Sequence, residues 1–207
     1  RILWALTPGG QNPADKELNT ANLAEGKTRQ QIASLIQFTM PGAPTIFYGD
    51  EVAMTGDDDP DDRRTYPWLD RGGDPDMLMF SHYQALASLR QAHAVLTTGD
   101  LQMLIADDAL DSMAYGRKTG SQAAIVAINR SSAAITVDIP IAGYLPEGLA
   151  FQAAYGVGNS TGWSVSVMGG VVNVTLEPLS ALLVLTGDDD LTPTTAPTGL
   201  SVTEEGN

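Results

Sequence analysis

The spacing of apolar residues predicts mixed helix and strand structure in the first part of the chain. Apolar positions recur at helical intervals over residues 28–40 and again over residues 79–93, so both segments are predicted to be helices. Pro41 and Gly42 end the first helix. The β-branched and aromatic run at 44–48 predicts a short strand buried on both faces, as in a parallel sheet. Helix, strand, long loop and helix is the element order of a barrel or a doubly wound sheet.

The rest of the chain alternates between short apolar runs and turn residues, a pattern that is typical of an antiparallel β-sandwich. The predicted strands are residues 101–105, 112–116, 123–129, 134–139, 150–155, 163–167, 171–176 and 179–185. Arg117 and Lys118 are expected to cap a strand end. Trp163 alternates with Val165 and Val167, so we expect it in the core of the sandwich rather than on a starch-binding surface.

The change of pattern divides the chain into four segments. We predict α/β structure at residues 1–94 and an all-β domain at 95–187. A charged and then Thr/Pro-rich linker follows at 188–197. The last segment, 198–207, is predicted to open a further strand-rich domain.

Composition limits the partners that the chain can have. The 207 residues include 25 Asp and Glu against 11 Lys and Arg, for a net charge of -14. Such a surface repels phosphate backbones and anionic lipids, so neither nucleic acid nor a membrane is an expected partner. The chain has no cysteine, which excludes disulfides, thiol catalysis and thiolate metal sites.

Acidic residues crowd the loop that follows the predicted strand. A hard-cation site would use several of these carboxylates on one ion. A glycosidase would use two of them to flank a scissile bond. A sugar-binding loop would hold hydroxyls with Asp and Arg and stack an aromatic ring on the sugar. The residues alone favour a solvated acidic loop shaped by Asp–Arg pairs. The carboxylates are Asp50, Glu51, Asp57, Asp58, Asp59, Asp61 and Asp62.

The segment 43–68, APTIFYGDEVAMTGDDDPDDRRTYPW, with Pro41 and Gly42 before it, resembles glycoside hydrolase family 13, the α-amylase family. Its Gly-x-Pro-x-x-x-Tyr-Gly-Asp-Glu pattern is similar to the family's eighth barrel strand and the start of the loop after it. The Asp-Pro-Asp-x-Arg-Arg-x-x-x-Trp pattern resembles the neopullulanase, cyclomaltodextrinase and maltogenic amylase branch. The resemblance implies an enzyme of starch or maltooligosaccharide degradation.

The resemblance also implies an architecture. Residues 1–94 would be the C-terminal portion of a (β/α)₈ TIM barrel, with its seventh helix, eighth strand, long loop and eighth helix. Residues 95–187 would be the family's β-sandwich, domain C, and 198–207 resemble the first strand of a fibronectin type III module. The family's three catalytic carboxylates map upstream of Arg1, so we assign no catalytic residue. The chain is therefore expected to be a C-terminal fragment that is inactive alone.

Asp59 and Arg63 match donor-side substrate contacts of the branch, so the resemblance implies that both bind substrate. No metal site or cofactor is expected in the chain, and the calcium dependence of the parent enzyme stays open. The alternative function is a non-catalytic carbohydrate-binding or structural β-sandwich module. The resemblance favours an α-glucan or maltooligosaccharide as the partner. The Thr/Pro-rich linker, the fibronectin-like segment and the absence of cysteine favour an extracellular bacterial location. The branch also has intracellular members, so a cytoplasmic location is the alternative.

Overall fold

The computed structural model describes residues 1–9, 20–189 and 191. Of the predicted linker at 188–197, only residues 188, 189 and 191 are described, and the segment 198–207 falls outside the described residues completely. The helices are α1 (Ile2–Leu6), α2 (Leu23–Thr39), α3 (Met77–Ala92) and α4 (Val95–Thr98). The strands are β1 (Gln102–Asp107), β2 (Ser112–Lys118), β3 (Ala123–Asn129), β4 (Ile135–Pro140), β5 (Ala150–Val157), β6 (Ser164–Ser166), β7 (Val171–Leu176) and β8 (Ser180–Thr186).

Antiparallel sheet dominates the described part of the chain. Six strands form one sheet in the order β1-β2-β3-β8-β5-β6, and β4 pairs with β7 in a second sheet. Every pair of neighbouring strands is antiparallel. Each of the eight predicted strands is present, with its ends within two residues of the prediction. These strand predictions are confirmed.

The large sheet is covered on both faces, which explains why β3 and β8 are buried along their whole lengths. One core cluster joins the large sheet to β4 and β7. A second cluster joins its opposite face to α2, α3 and α4. Side chains alternate between the faces of a strand. Ile125 therefore belongs to the first cluster and Val126 to the second.

The two long helices form where the sequence predicts them, but α2 begins at Leu23, five residues before the predicted start. Its first turn packs against the end of α1, where a Cβ on Gly26 would lie 2.1 Å from the Thr7 hydroxyl oxygen. Glycine therefore permits this close approach, although it interrupts the apolar pattern. The carboxylate of Asp76 begins α3 by accepting hydrogen bonds from the N–H groups of Leu78 and Met79.

The prediction of a buried strand at 44–48 is wrong for this structure. The segment is extended but pairs with no strand among the described residues, and Ile46, Phe47 and Tyr48 are each more than 40% exposed. The side-chain amide of Gln37 donates to the Thr45 carbonyl oxygen at 2.6 Å, which is a side-chain contact and not a ladder. A buried strand needs hydrogen-bonded neighbours on both sides, and the described residues supply none.

Arg117 joins the large sheet to the helices. Its guanidinium is fully buried and donates to the carbonyl oxygens of Thr39, Leu96, Gly99 and Asp100. Thr39 ends α2, and Leu96 and Gly99 belong to the last turn of α4, so the guanidinium meets the negative ends of two helices. The expectation that Arg117 caps a strand end is wrong, because its side chain caps these helices.

His82 on α3 is a second buried link between the helices and the large sheet. Its Nε2 lies 2.7 Å from the Ser34 hydroxyl on α2, and its Nδ1 lies 2.6 Å from the Tyr155 hydroxyl on β5. The Ser34 hydroxyl is also within hydrogen-bond distance of the Gln30 carbonyl oxygen. This network fits a neutral imidazole that donates to Ser34 through Nε2 and accepts from Tyr155 through Nδ1. Burial lowers the pKa of His82 from 6.5 to about 4.

Candidate functional site

The acidic loop runs from the unpaired extended segment to the start of α3. It contains three short 3₁₀ turns, at Asp50–Val52, Asp61–Arg63 and Leu69–Arg71. Gly49 enters the loop with a φ of 88°, and its N–H donates to the Glu51 carboxylate at 2.7 Å. A left-handed conformation at this point favours glycine. The predicted loop is therefore present, and its first turn is held by one of its own acidic residues.

One Asp–Arg pair fixes the shape of the loop. The Arg64 guanidinium donates to both carboxylate oxygens of Asp61, at 2.9 and 2.8 Å. The same carboxylate accepts the N–H of Asp57 at 2.8 Å, and the Tyr48 hydroxyl donates to the Arg64 carbonyl oxygen at 2.9 Å. These bonds tie both sides of the loop to the extended segment, so the Asp61–Arg64 pair has a structural role.

The second Asp–Arg pair faces solvent. Arg63 forms an ion pair with Asp59, and the two side chains are 62% and 70% exposed. An exposed pair contributes about 1 kcal/mol or less to stability, so folding gives little reason for this arrangement. A carboxylate that accepts from two hydroxyls and a guanidinium with a planar fork are suited to the hydroxyl groups of a sugar. Nothing in the structure tests this role, and the assignment of Asp59 and Arg63 stays a prediction.

Asp50 and Glu51 are engaged in contacts around the base of the loop. The Arg1 guanidinium lies 3.5 Å from the Asp50 carboxylate and over the rings of Phe47 and Tyr48, at 4.6 and 4.7 Å from the ring centres. Burial raises the pKa of Asp50, and the charge of Arg1 opposes that shift. The Asp50 carboxylate therefore takes part in an ion pair, and the Glu51 carboxylate holds the first turn of the loop.

Aromatic side chains form an apolar surface at the exit of the loop. The rings of Tyr66 and Trp68 lie 4.5 Å apart, and Trp68 is 56% exposed. Together with Leu69, Met77 and Phe80 they line a shallow cavity of about 300 Å³. Burial raises the pKa of the Tyr66 hydroxyl, and the Glu51 carboxylate adds to the shift. The exposure of Trp68 leaves one face of the loop suited to stacking.

The described residues lack both a cluster of metal-binding side chains and a membrane-spanning helix. Across residues 1–9, 20–189 and 191, no three His, Asp or Glu side chains are grouped so that they could hold a metal ion. In the same part of the chain, none of the helices has the length and apolar character needed to span a bilayer.

Comparisons with known proteins relate the chain to enzymes that act on α-glucans. It is 33% identical to an amylopullulanase of Thermoanaerobacterium thermosulfurigenes over 96% of this chain and 11% of the relative. It is 36% identical to a cyclomaltodextrinase of Geobacillus thermopakistaniensis over 52% of this chain and 18% of the relative. The chain thus spans less than a fifth of either relative.

A debranching enzyme of Nostoc punctiforme shares the fold, with a TM-score of 0.65 and 27% identity over 80% of this chain and 32% of that one. No family model matches the chain. The relatives include the branch that the loop motif resembles, and the structural neighbours include α-amylases and debranching enzymes. The chain belongs to glycoside hydrolase family 13, the α-amylase family, and matches a C-terminal portion of its neopullulanase-like members.

Proposed function

We propose that the chain is part of a retaining α-glucan hydrolase that degrades starch or maltooligosaccharides, and that its acidic loop holds substrate on the donor side. The observation that carries this proposal is the exposed Asp59–Arg63 pair within the family's loop motif. The neighbouring Asp61–Arg64 pair fixes the loop and leaves the exposed pair free to meet a ligand.

The finer architecture follows from the same proposal. Residues 1–94 would complete a TIM barrel, and the unpaired segment at 44–48, with its exposed apolar side chains, is what an eighth strand without its neighbours would look like. Residues 95–187 would be domain C, in which the sheet of β4 and β7 packs on the large sheet through a common core. A secreted location is proposed from the linker, the fibronectin-like segment and the absence of cysteine.

Under this proposal, the upstream region performs the chemistry and the acidic loop binds the substrate. The upstream region would supply the nucleophile, the acid/base and the stabilising carboxylate, which retaining hydrolysis needs on one rigid frame. Asp59 would accept hydrogen bonds from two neighbouring hydroxyls of a remote glucose unit, while Arg63 donates to its oxygens. Their mutual ion pair holds both side chains in place before substrate arrives, which reduces the entropy lost on binding. A non-catalytic module, the alternative function, gives no reason for this loop motif.

Replacing Asp59 or Arg63 by alanine in the parent enzyme, meaning this chain joined to its upstream catalytic region, is expected to weaken catalysis on long substrates. A hydrogen bond to a charged group contributes about 1.5–3 kcal/mol, so each variant should lose about 10- to 100-fold in kcat/KM. Maltooligosaccharides too short to reach the donor-side subsite should be nearly unaffected. Steady-state kinetics on a length series of maltooligosaccharides measures both effects.

The Asp61–Arg64 ion pair supplies the matched control. Asp61→Ala should disturb the shape of the loop and slow short and long substrates alike, because it releases Arg64 and the backbone of Asp57. The 207-residue chain alone is the blank and is expected to be inactive. If Asp59→Ala and Arg63→Ala also affected short and long substrates equally, these residues would shape the loop, and the proposed contact would be refuted.

A further inference from the structure

A second cavity, of about 300 Å³, lies away from the acidic loop at the corner where the two sheets meet. The strand β6 is the last strand of the large sheet and contacts β7 of the small sheet, and the cavity opens between the β5–β6 turn and β7. The lining residues are Asn159, Ser160, Trp163, Asn173, Val174, Thr175 and Glu177. None of them belongs to the loop of residues 49–76 or to its cavities.

Trp163 forms a fixed aromatic wall of this cavity. One part of its side chain packs against the core between the sheets, and another part lines the opening. Its indole N–H donates to the Ser160 carbonyl oxygen at 3.1 Å, and its own carbonyl oxygen accepts from the N–H of Ala153 at 2.9 Å. The indole hydrogen bond and the backbone hydrogen bond orient the ring at the opening. The expectation that Trp163 serves only the core is incomplete.

Polar groups surround the ring at fixed positions. The Asn159 side chain donates to the Ala181 carbonyl oxygen at 3.2 Å and accepts from the Glu177 N–H at 3.0 Å. Asn173 donates to Asp138 at 2.6 Å, which orients its amide. Within the part of the chain that the structure describes, the Ser160 hydroxyl and the Glu177 carboxylate make no hydrogen bond, so both can serve a ligand.

We propose that this cavity is a second carbohydrate-binding site that takes one or two glucose units of a maltooligosaccharide or starch chain. An indole offers a flat apolar surface to the C–H face of a pyranose ring, and the polar side chains beside it match the hydroxyls at the ring's edge. An open cavity with no basic residue in its lining does not suit a phosphate or another anion. The choice of an α-glucan as the ligand rests on the proposed function. The inference that the cavity binds a carbohydrate rests only on the residues that line it.

The test is a titration of the 207-residue chain with maltoheptaose, followed by tryptophan fluorescence. The chain has three tryptophans, of which Trp4 is buried. A Trp68→Phe background therefore leaves Trp163 as the partly exposed reporter. Saturable binding is expected in this background. Trp163→Ala, monitored by calorimetry, and Ser160→Arg, which fills the cavity from its exposed rim, should each weaken binding about tenfold or more.

Two controls separate this site from the acidic loop and from general effects. Ser166→Arg places the same side chain on the exposed face of β6 outside the cavity and should leave maltoheptaose affinity unchanged. Measuring Ser160→Arg and Ser166→Arg again in an Asp59→Ala background excludes a contribution of the acidic loop to the difference between them. Ser160→Arg keeps the test valid if Trp163→Ala fails to fold.

The inference is overturned if the chain shows no saturable binding, or if Ser160→Arg binds as tightly as Ser166→Arg. Its failure would be distinct from that of the proposed function. An active parent enzyme with no binding at this cavity would overturn only the second site. Glucan binding at the cavity together with a parent enzyme that hydrolyses no α-glucan would support the second site and refute the proposed function.

Discussion

Replacing Arg117 by methionine is expected to lower the free energy of unfolding by about 3–5 kcal/mol, because its guanidinium is buried and serves four carbonyl oxygens. Arg90 also donates to the Leu96 oxygen, so that carbonyl keeps a partner. The Thr39, Gly99 and Asp100 oxygens lose this donor, and the contact with the Thr39 oxygen is a buried one. Methionine fills much of the volume, so the loss reports mainly on the polar contacts.

Urea unfolding followed by circular dichroism measures this effect. Arg117→Lys should fall between the wild type and Arg117→Met, because an ammonium retains the charge but cannot reach all four oxygens in one plane. Arg130→Met is the matched control. Arg130 forms an ion pair with Asp111 in which both side chains are more than half exposed, so its loss should change stability by about 0.5 kcal/mol or less. A loss below about 1 kcal/mol for Arg117→Met would contradict the role assigned to this guanidinium.

The strands could be predicted from the sequence because the signals that define them are local. Alternation of apolar and polar residues marks β7, and continuous apolar runs mark β3 and β8, whose two faces are both covered. Turn residues between the runs separate the strands. Pairing partners do not have to be known for this prediction, because each segment carries its own pattern.

The segment at 44–48 and Arg117 could not be placed in the same way, because their surroundings are set by distant parts of the chain. The apolar run at 44–48 has the composition of a buried strand, but burial requires neighbouring strands that the described residues lack. Arg117 is followed by Lys118, and two basic residues at the end of a strand resemble a solvent-exposed edge. Only the ends of α2 and α4, brought there by tertiary packing, make Arg117 a buried residue.

The candidate site also has features that the sequence could predict and features that it could not. The motif selected Asp59 and Arg63, and the structure places the two together on an exposed loop. Sequence spacing could not separate this pair from Asp61 and Arg64, because both pairs are three or four residues apart. Their different roles depend on tertiary contacts: Asp61 and Arg64 bond to the backbone and to Tyr48, whereas Asp59 and Arg63 face solvent. The cavity at Trp163 was missed for a similar reason, since it exists only where the β5–β6 turn approaches β7.

The stability of the fold is also expected to depend on pH through His82. Burial lowers its pKa from 6.5 to about 4, and no carboxylate contributes to the shift. Between these two values the unfolded chain binds a proton that the folded chain does not. Stability should therefore rise with pH across this window, be fully present above pH 6.5, and be lost as the pH falls toward 4.

His82→Gln, which removes the titrating group, should reduce the loss of stability between pH 7 and pH 4.5 by about 2–3 kcal/mol relative to the wild type. Carboxylates elsewhere also titrate in this range, but they are common to both proteins, so the difference between the two profiles isolates the imidazole. His93→Gln, at the end of the same helix, is the control for replacing a histidine. Urea unfolding at the two pH values gives all three profiles. Equal losses in the wild type and in His82→Gln would mean that the Ser34–His82–Tyr155 network accepts the charged imidazole, and the neutral form assigned to it would be wrong.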